Sequence, residues 1–211
     1  MTVKSPNRNV VKLASYMQSI TGFNDLVRER SAYRHMGATI CDTILQAGLN
    51  YKTVVAPRVN QVLKRWPSAT TSSAFLFNVR RYDLYSVINW SNVEKPRRII
   101  GLTEFLVNED LETEAEVANW LTDEGNAESL KELRGFGPKT TDYFKMLVGI
   151  STVPVDRHVR NFLTKAGVTA TSYKETQSLF NDAADLLSFE KSSLDYAVWL
   201  HESNASKARA A

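Results

Sequence analysis

The residues of this chain whose types and spacing could do chemistry are Leu133-Arg134-Gly135-Phe136-Gly137-Pro138-Lys139-Thr140-Thr141, followed after an apolar run by Val153-Pro154-Val155-Asp156-Arg157-His158-Val159. Gly135 and Gly137 can take positive φ and close a tight turn, and Pro138 suits the first turn of a helix, where a missing N–H costs nothing. Ala127 to Leu133 before the turn is compatible with a helix, with Leu130 and Leu133 three apart. Thr140 to Val148 after it carries Tyr143, Phe144, Met146, Leu147 and Val148, which suits a second, largely buried helix. The pattern predicts a helix–hairpin–helix over about 127–148. Free N–H groups at the start of the second helix, with the positive end of its dipole, form an anion site that would take a nucleic-acid backbone phosphate. Asp156, ahead of Arg157-His158-Val159, suits a helix N-cap. A nucleotide-binding P-loop is excluded, because Gly137 is followed by Pro138 and no Gly-x-x-x-x-Gly-Lys occurs.

The two motifs together, with Lys139 just inside the second helix and an aspartate 156 − 139 = 17 positions beyond it, resemble those of the helix–hairpin–helix DNA glycosylase superfamily of the endonuclease III and 8-oxoguanine glycosylase type. The family pattern reads Leu-Pro-Gly-Val-Gly-x-Lys-Thr-Ala, then Val-Asp-Thr-His. This chain departs from it at Arg134, Phe136, Thr141 and Arg157, and none of these changes removes a group the chemistry needs.

The resemblance implies a base-excision-repair enzyme, a monomer acting on double-stranded DNA that holds a damaged or mismatched base. The target nucleotide would be extruded at an unstacking cost of roughly a few kcal/mol. Lys139, as the neutral amine, would attack C1′, displace the base and form a Schiff base that permits β-elimination of the 3′ phosphate. An ordinary lysine is almost wholly protonated at neutral pH, so the site must favour the neutral amine or pass its proton to Asp156. Asp156 would also stabilise positive charge developing on the sugar. His158 and Arg157 would lie near a phosphate, while Gly135, Gly137 and Thr140 would offer backbone or hydroxyl groups to the DNA. Relatives bind a monovalent cation through hairpin carbonyls, which here fall on Lys131, Leu133 and Phe136.

The same residues admit plainer roles. Asp156 can be a cap alone, His158 a structural histidine, and Lys139 a phosphate contact in a monofunctional glycosylase that uses water. A non-catalytic helix–hairpin–helix DNA-binding module also fits. Oxidised purines, oxidised pyrimidines and mismatched thymine or uracil are all compatible with a lysine nucleophile, and alkylated bases less so. Phe23, Tyr143, Tyr196 and Trp199 are aromatic candidates for the base pocket that suit a core equally well.

The elements that must position these groups read as helices throughout. The chain has 211 residues, 43% hydrophobic and 23% charged, with a formal charge of +3. Those values fit a globular protein large enough for a substantial core, and its mildly basic balance permits nucleic-acid binding without requiring it. A single cysteine, Cys41, excludes an internal disulfide and the four-cysteine ligand set of the iron–sulfur cluster some relatives carry, and no cofactor is required. Its apolar neighbours Ile40 and Ile44 make it a buried thiol. Met1 to Asn9 is polar and reads as a loose tail rather than a signal peptide, which places the protein inside the cell, in the cytoplasm and nucleoid or the nucleus.

Apolar spacing predicts helices over Val10 to Ile20, Gly37 to Leu49, Thr53 to Trp66 with Pro57 perturbing the first turn, Ala74 to Asn78, Lys95 to Asn108 and Ala115 to Leu121. Beyond the second motif come Arg157 to Ala166, Ser172 to Leu187 and Ser192 to Glu202. Asp25 to Met36, with Arg28, Arg30, Arg34 and His35, reads as a poorly packed helix or a connection, and Glu109 to Glu116 as a solvated linker. Period-two alternation is never sustained, so the fold class is all-α. The resemblance supplies the arrangement. A central lobe over 38–148 holds the hairpin, residues 1–37 with 149–211 form a second lobe, and the active site lies in the cleft between them. It also places the loop that fills the gap left by an extruded base at Gln46 to Lys52. Alignment on Ile44-Leu45 puts Gly48 where the family often has Gln, leaving Gln46 or Asn50 as substitutes; a helix-end amide and a cap is the plainer reading.

Overall fold

A computed structural model of the chain describes residues 7–28 and 32–208, with side chains through 204. The described residues are helical and hold no strand, as the absence of alternation requires. None of their helices is long and apolar enough to cross a membrane. The chain divides into two compact units, Ala32–Ile150 and the pair Met1–Ser31 with Ser151–Ala211. The expected boundaries at 38 and 148 fall six and two residues inside the first.

The terminal unit begins with α1 (Arg8–Ser19) and α2 (Phe23–Leu26). Asn7 caps α1 by accepting from the Asn9 amide at 2.9 Å, so the helix starts two residues before Val10. Met1 to Pro6 and Arg30, which belonged to the expected tail and connection, lie outside the described residues.

The central unit runs through α3 (Met36–Leu45), α4 (Ala56–Arg65), α5 (Ser72–Arg81), α6 (Leu84–Val87), α7 (Glu94–Asn108), α8 (Glu114–Trp120), α9 (Glu124–Ser129) and α10 (Pro138–Leu147). All ten residues of α3 are buried, so it is the axis of the unit and not a helix with a single apolar face. It ends at Leu45, and residues 46–50 form a turn. The segment expected to open α4 is instead a π-helical turn, Tyr51–Val55, in which the Val55 amide reaches the Asn50 carbonyl at 3.2 Å. Pro57 lacks the amide that would continue an ordinary ladder there. α5 is longer than Ala74 to Asn78 because Thr71 caps it and Arg80 and Arg81 extend its exposed end. The acidic stretch before α8 is a capping box between Thr113 and Glu116, which also receives the Glu112 amide. Met36, Ile40, Leu45, Phe75, Ile88 and Ile99 form the centre of this core.

After residue 150 the chain returns to the terminal unit with α11 (Arg157–Lys165), α12 (Tyr173–Leu187) and α13 (Lys191–Ala208). Their apolar faces close over Leu13, Met17 and Phe23 from α1 and α2. Phe162 is the hub, with ring centroids 5.1 Å from Tyr16, 5.7 Å from Phe23 and 6.2 Å from Phe180. Phe23 is therefore core and not a stacking platform.

Candidate functional site

The hairpin forms as the glycines and Pro138 dictate, with one correction. α9 tightens into a 3-10 turn over Leu130–Glu132, and the Phe136 amide then closes on the Leu133 carbonyl at 3.0 Å. Gly135 takes φ +93°, whereas Gly137 is extended at φ −127°, ψ −179°. One left-handed residue suffices for this turn, and Gly137 serves as N-cap, a position with extended backbone. Among the described residues no side chain caps α10, and a Cβ on Gly137 would meet nothing within 4 Å. The Thr141 amide bonds the Gly137 carbonyl at 3.0 Å. The amides of Lys139 and Thr140 have no acceptor among the described residues. Pro138 occupies N1, so an open pair of donors faces outward over a position without a side chain. The Thr140 hydroxyl, by contrast, belongs to a buried side chain, so of the groups expected at Thr140 only its amide is open.

Lys139 is half-buried, and its Nζ donates to Gln46 Oε1 at 2.7 Å. Gln46 is itself buried at the C-cap of α3, its Nε2 reaching the Thr43 carbonyl at 3.4 Å. It does not stand out as a wedge: its amide is turned inward because it is the nearest acceptor for the lysine. Asn50, exposed, caps the π-helical turn by accepting from Thr53 N at 3.0 Å.

One helical turn back along α3 and one turn on along α10, Asp42 accepts from the Tyr143 hydroxyl at 3.1 Å. Lys139–Gln46 and Tyr143–Asp42 are thus two rungs between the same helices, each formed by residues at i and i+4 on one face. Asp42 is fully buried and also accepts from Tyr33 at 2.8 Å and Tyr51 at 3.3 Å. Hydrogen bonds of this kind contribute roughly 0.5–1.5 kcal/mol net each, and three of them tie α3, α10 and the π-helical turn to one another. Burial, then Asp42 and Tyr51, push the Tyr33 hydroxyl far above its ordinary range, and burial and Asp42 raise the Cys41 thiol in the same direction. Cys41 is inert for the reason expected of it.

A second amine joins the first. Lys95 at the start of α7 donates to the carbonyls of Ile44 at 2.6 Å and Ala47 at 3.0 Å, which are orphan acceptors at the C-terminal end of α3. Burial, then Arg98 and Lys139, push its ammonium down to about 8.

In the terminal unit, Asp156 caps α11, its Oδ1 accepting from His158 N at 2.7 Å and Val159 N at 3.0 Å. Oδ2 takes no hydrogen bond among the described residues. His158 is half-buried and Arg157 exposed, with Arg157 Nε 3.5 Å from His158 Nε2. Tyr196 and Trp199 stack on each other at 5.8 Å. At the carbonyls suggested for a monovalent cation, Leu133 is engaged by the Phe136 amide, and the Arg98 guanidinium would meet a Cβ on Gly135 at 2.7 Å. A fixed positive charge on that side of the hairpin works against a cation. Lys131 pairs with Glu128 at 2.5 Å.

A protein-family model described as a domain of unknown function, DUF8548, matches residues 88–203, more than half of the chain. The chain belongs to the DUF8548 family. No curated protein matches the chain, and no solved structure matches it. The DUF8548 match spans the hairpin, Lys139 and the Asp156 segment, and leaves α3 outside. Asp42, Tyr33, Tyr51 and Lys95 are the site residues that sequence reasoning missed. The signal for Asp42 was available: a carboxyl set between Ile40-Cys41 and Ile44-Leu45 must be buried with them, and a buried carboxyl needs donors.

Proposed function

We propose that this DUF8548 protein is a DNA glycosylase with AP lyase activity, in which Lys139 is the nucleophile and Asp156 the supporting carboxylate. The observation that carries the reading is the start of α10. There a helix N-terminus without a side-chain cap lies open over Gly137, and a half-buried amine stands in its first turn. Open amides and the helix dipole suit a phosphate of the nucleic-acid backbone. The amine beside it would then address the sugar attached to that phosphate.

In the proposed reaction the Lys139 nitrogen bonds C1′, the glycosidic C–N bond breaks, and the base leaves with the electron pair and a proton. Ring opening gives the Schiff base, and loss of a C2′ proton expels the 3′ phosphate. Asp156 uses one oxygen as a helix cap, and the role proposed for its second oxygen is to stabilise the cationic sugar or take the lysine's proton. Gln46, which holds the amine at rest, would release it when the nucleotide enters.

Borohydride trapping on a duplex with an abasic site tests the reading. A covalent adduct is expected with the wild-type chain and none with Lys139→Ala. Absence of an adduct with wild type would sink the lyase assignment, and base release without strand nicking would assign the attack to water.

A further inference from the structure

Between α7 and the hairpin lies a cavity of about 110 Å³, several times the room one water needs. Its polar lining is three guanidiniums and one carboxylate: Arg97, Arg98, Arg134 and Glu94. Leu133 and Phe136 complete the hairpin wall.

The guanidiniums are under-used by the protein. Glu94 lies 2.9 Å from Arg134 and 3.7 Å from Arg98, the second distance being too long for a hydrogen bond. Arg98 Nε is buried and has no hydrogen-bond partner among the described residues, while the side chain as a whole is 28% exposed. Arg97 is exposed, and its side chain makes no ion pair or hydrogen bond among the described residues. A guanidinium carries five donors in a planar fork, and a buried one is ordinarily paired. Three such forks against one carboxylate leave an excess of two positive charges, with Arg97 and Arg134 exposed at the mouth of the cavity and Arg98 alone largely enclosed.

The backbone is cut to fit this arrangement. Arg98 Cδ and Nη1 lie 2.9 Å and 2.7 Å from where a Cβ on Gly135 would stand. The left-handed glycine therefore both closes the turn and lets the guanidinium lie directly under it.

We propose that this cavity is a second oxyanion site, for a phosphate group, and that in the working protein it receives a backbone phosphate of the DNA strand held at the start of α10. The DNA source rests on the function proposed above; the oxyanion chemistry rests on the cavity. Arg98 supplies a donor from below the hairpin, Arg97 and Arg134 supply charge at the mouth, and Glu94 keeps the forks apart when the site is free. The cavity wall ends at Phe136, one residue before the N-cap of α10. Two neighbouring phosphates of one strand are thus gripped by opposite sides of the same turn, one by backbone amides and one by arginines.

The test is binding of a duplex with a non-reactive abasic analogue over a potassium chloride series, for wild type, Arg97→Ala and Arg98→Met. Arg97→Ala removes an exposed side chain without partners, and Arg98→Met keeps an unbranched stem against Gly135, so both should fold. Each lost phosphate contact should reduce the slope of log affinity against log salt by about 0.9. A single neutral methylphosphonate at the contacted position should weaken wild type and leave Arg98→Met unchanged. Wild-type slopes in both variants would overturn the inference. In a second arm, melting is compared in inorganic phosphate and in chloride at equal ionic strength. A rise with phosphate that disappears in Arg98→Met supports the oxyanion site. If wild type binds no DNA yet shows that rise, the DNA source is overturned and a free-phosphate site stands. If trapping fails while the slopes change as stated, the lyase reading falls and the phosphate site remains.

Discussion

The N-termini of α10 and α11 have nearly the same backbone and opposite chemistry. Gly137 stands at φ −127°, ψ −179° and Asp156 at φ −108°, ψ −171°, both extended conformations that any residue can adopt. Asp156 closes its helix on itself, one carboxyl oxygen taking two amides. Gly137 leaves its helix open. Thr71, Thr113, Asp123 and Ser172 cap their helices with side chains as Asp156 does. Glycine at 137 is therefore not required by conformation, and what distinguishes the position is the missing side chain. A closed helix end stabilises the fold, whereas an open one offers donors to something outside the chain.

The largest effects separate the two ends by function. In the trapping assay, Lys139→Ala should lower adduct formation by about 10⁴-fold or more, as loss of a nucleophile does. Asp156 is resolved by a pair of substitutions. Asp156→Asn keeps a good capping residue and removes the charge, so its melting temperature should stay near wild type while the reaction slows by about 10²–10³-fold. Asp156→Ala loses the cap as well and should cost a further ~1 kcal/mol of stability in urea unfolding. If Asp156→Asn reacts at the wild-type rate, Asp156 is a cap and nothing more, and the contrast with Gly137 is structural only.

Gly137→Asp would turn the open end into a copy of the closed one. The backbone already suits it, and a Cβ there meets nothing, so stability should rise by a few tenths of a kcal/mol, the usual gain over a glycine cap. The new carboxylate would occupy the amides of Lys139 and Thr140 and repel a phosphate. Affinity for an abasic duplex should fall at least tenfold, read by anisotropy, although the protein is no less stable. A variant that binds DNA as wild type would show that the phosphate is gripped elsewhere. Tyr143→Phe probes the rung behind Lys139. It should cost about 1–2 kcal/mol by leaving Asp42 one donor short, measured in urea.

These local features were legible in the sequence because local rules govern them. Turn glycines, Pro138 at N1 and Asp156 before an amphipathic run need no knowledge of the rest of the chain. The failures are of two kinds. Composition permits positive φ at Gly137 as well, while the turn needs it only at Gly135. The rest are tertiary. Asp42 finds its donors at Tyr33, Tyr51 and Tyr143, the last 101 positions away, and Lys139 finds Gln46 across 93. No window over one helix shows such pairs. The burial of α3 on every side is equally invisible in its own sequence, because the neighbours that cover it come from distant segments.

α13 supplies a third kind of helix end, which carries the smallest predicted effect. Glu190 precedes it, accepting from the Ser193 amide at 2.7 Å, from Ser151 at 2.5 Å and from the Ser192 hydroxyl. Partial burial raises its carboxyl, but the hydroxyl and amide donors outweigh that and hold it at about 2 instead of 4.5. A carboxyl depressed in the folded state is protonated first in the unfolded one, so the unfolded chain binds more protons between those values. Its stabilisation is complete above about pH 4.5 and is lost as the pH falls towards 2. Glu190→Gln should therefore be less stable than wild type at neutral pH, with the difference shrinking through that window in urea titrations. Gly137→Asp should show the opposite sign of pH dependence relative to wild type, its gain disappearing as the pH falls, because the stability it gains depends on a charged carboxylate at a helix N-terminus. A stability difference for that variant that does not change with pH would mean that its side chain never reaches the open amides, and that the end of α10 is closed by some other group.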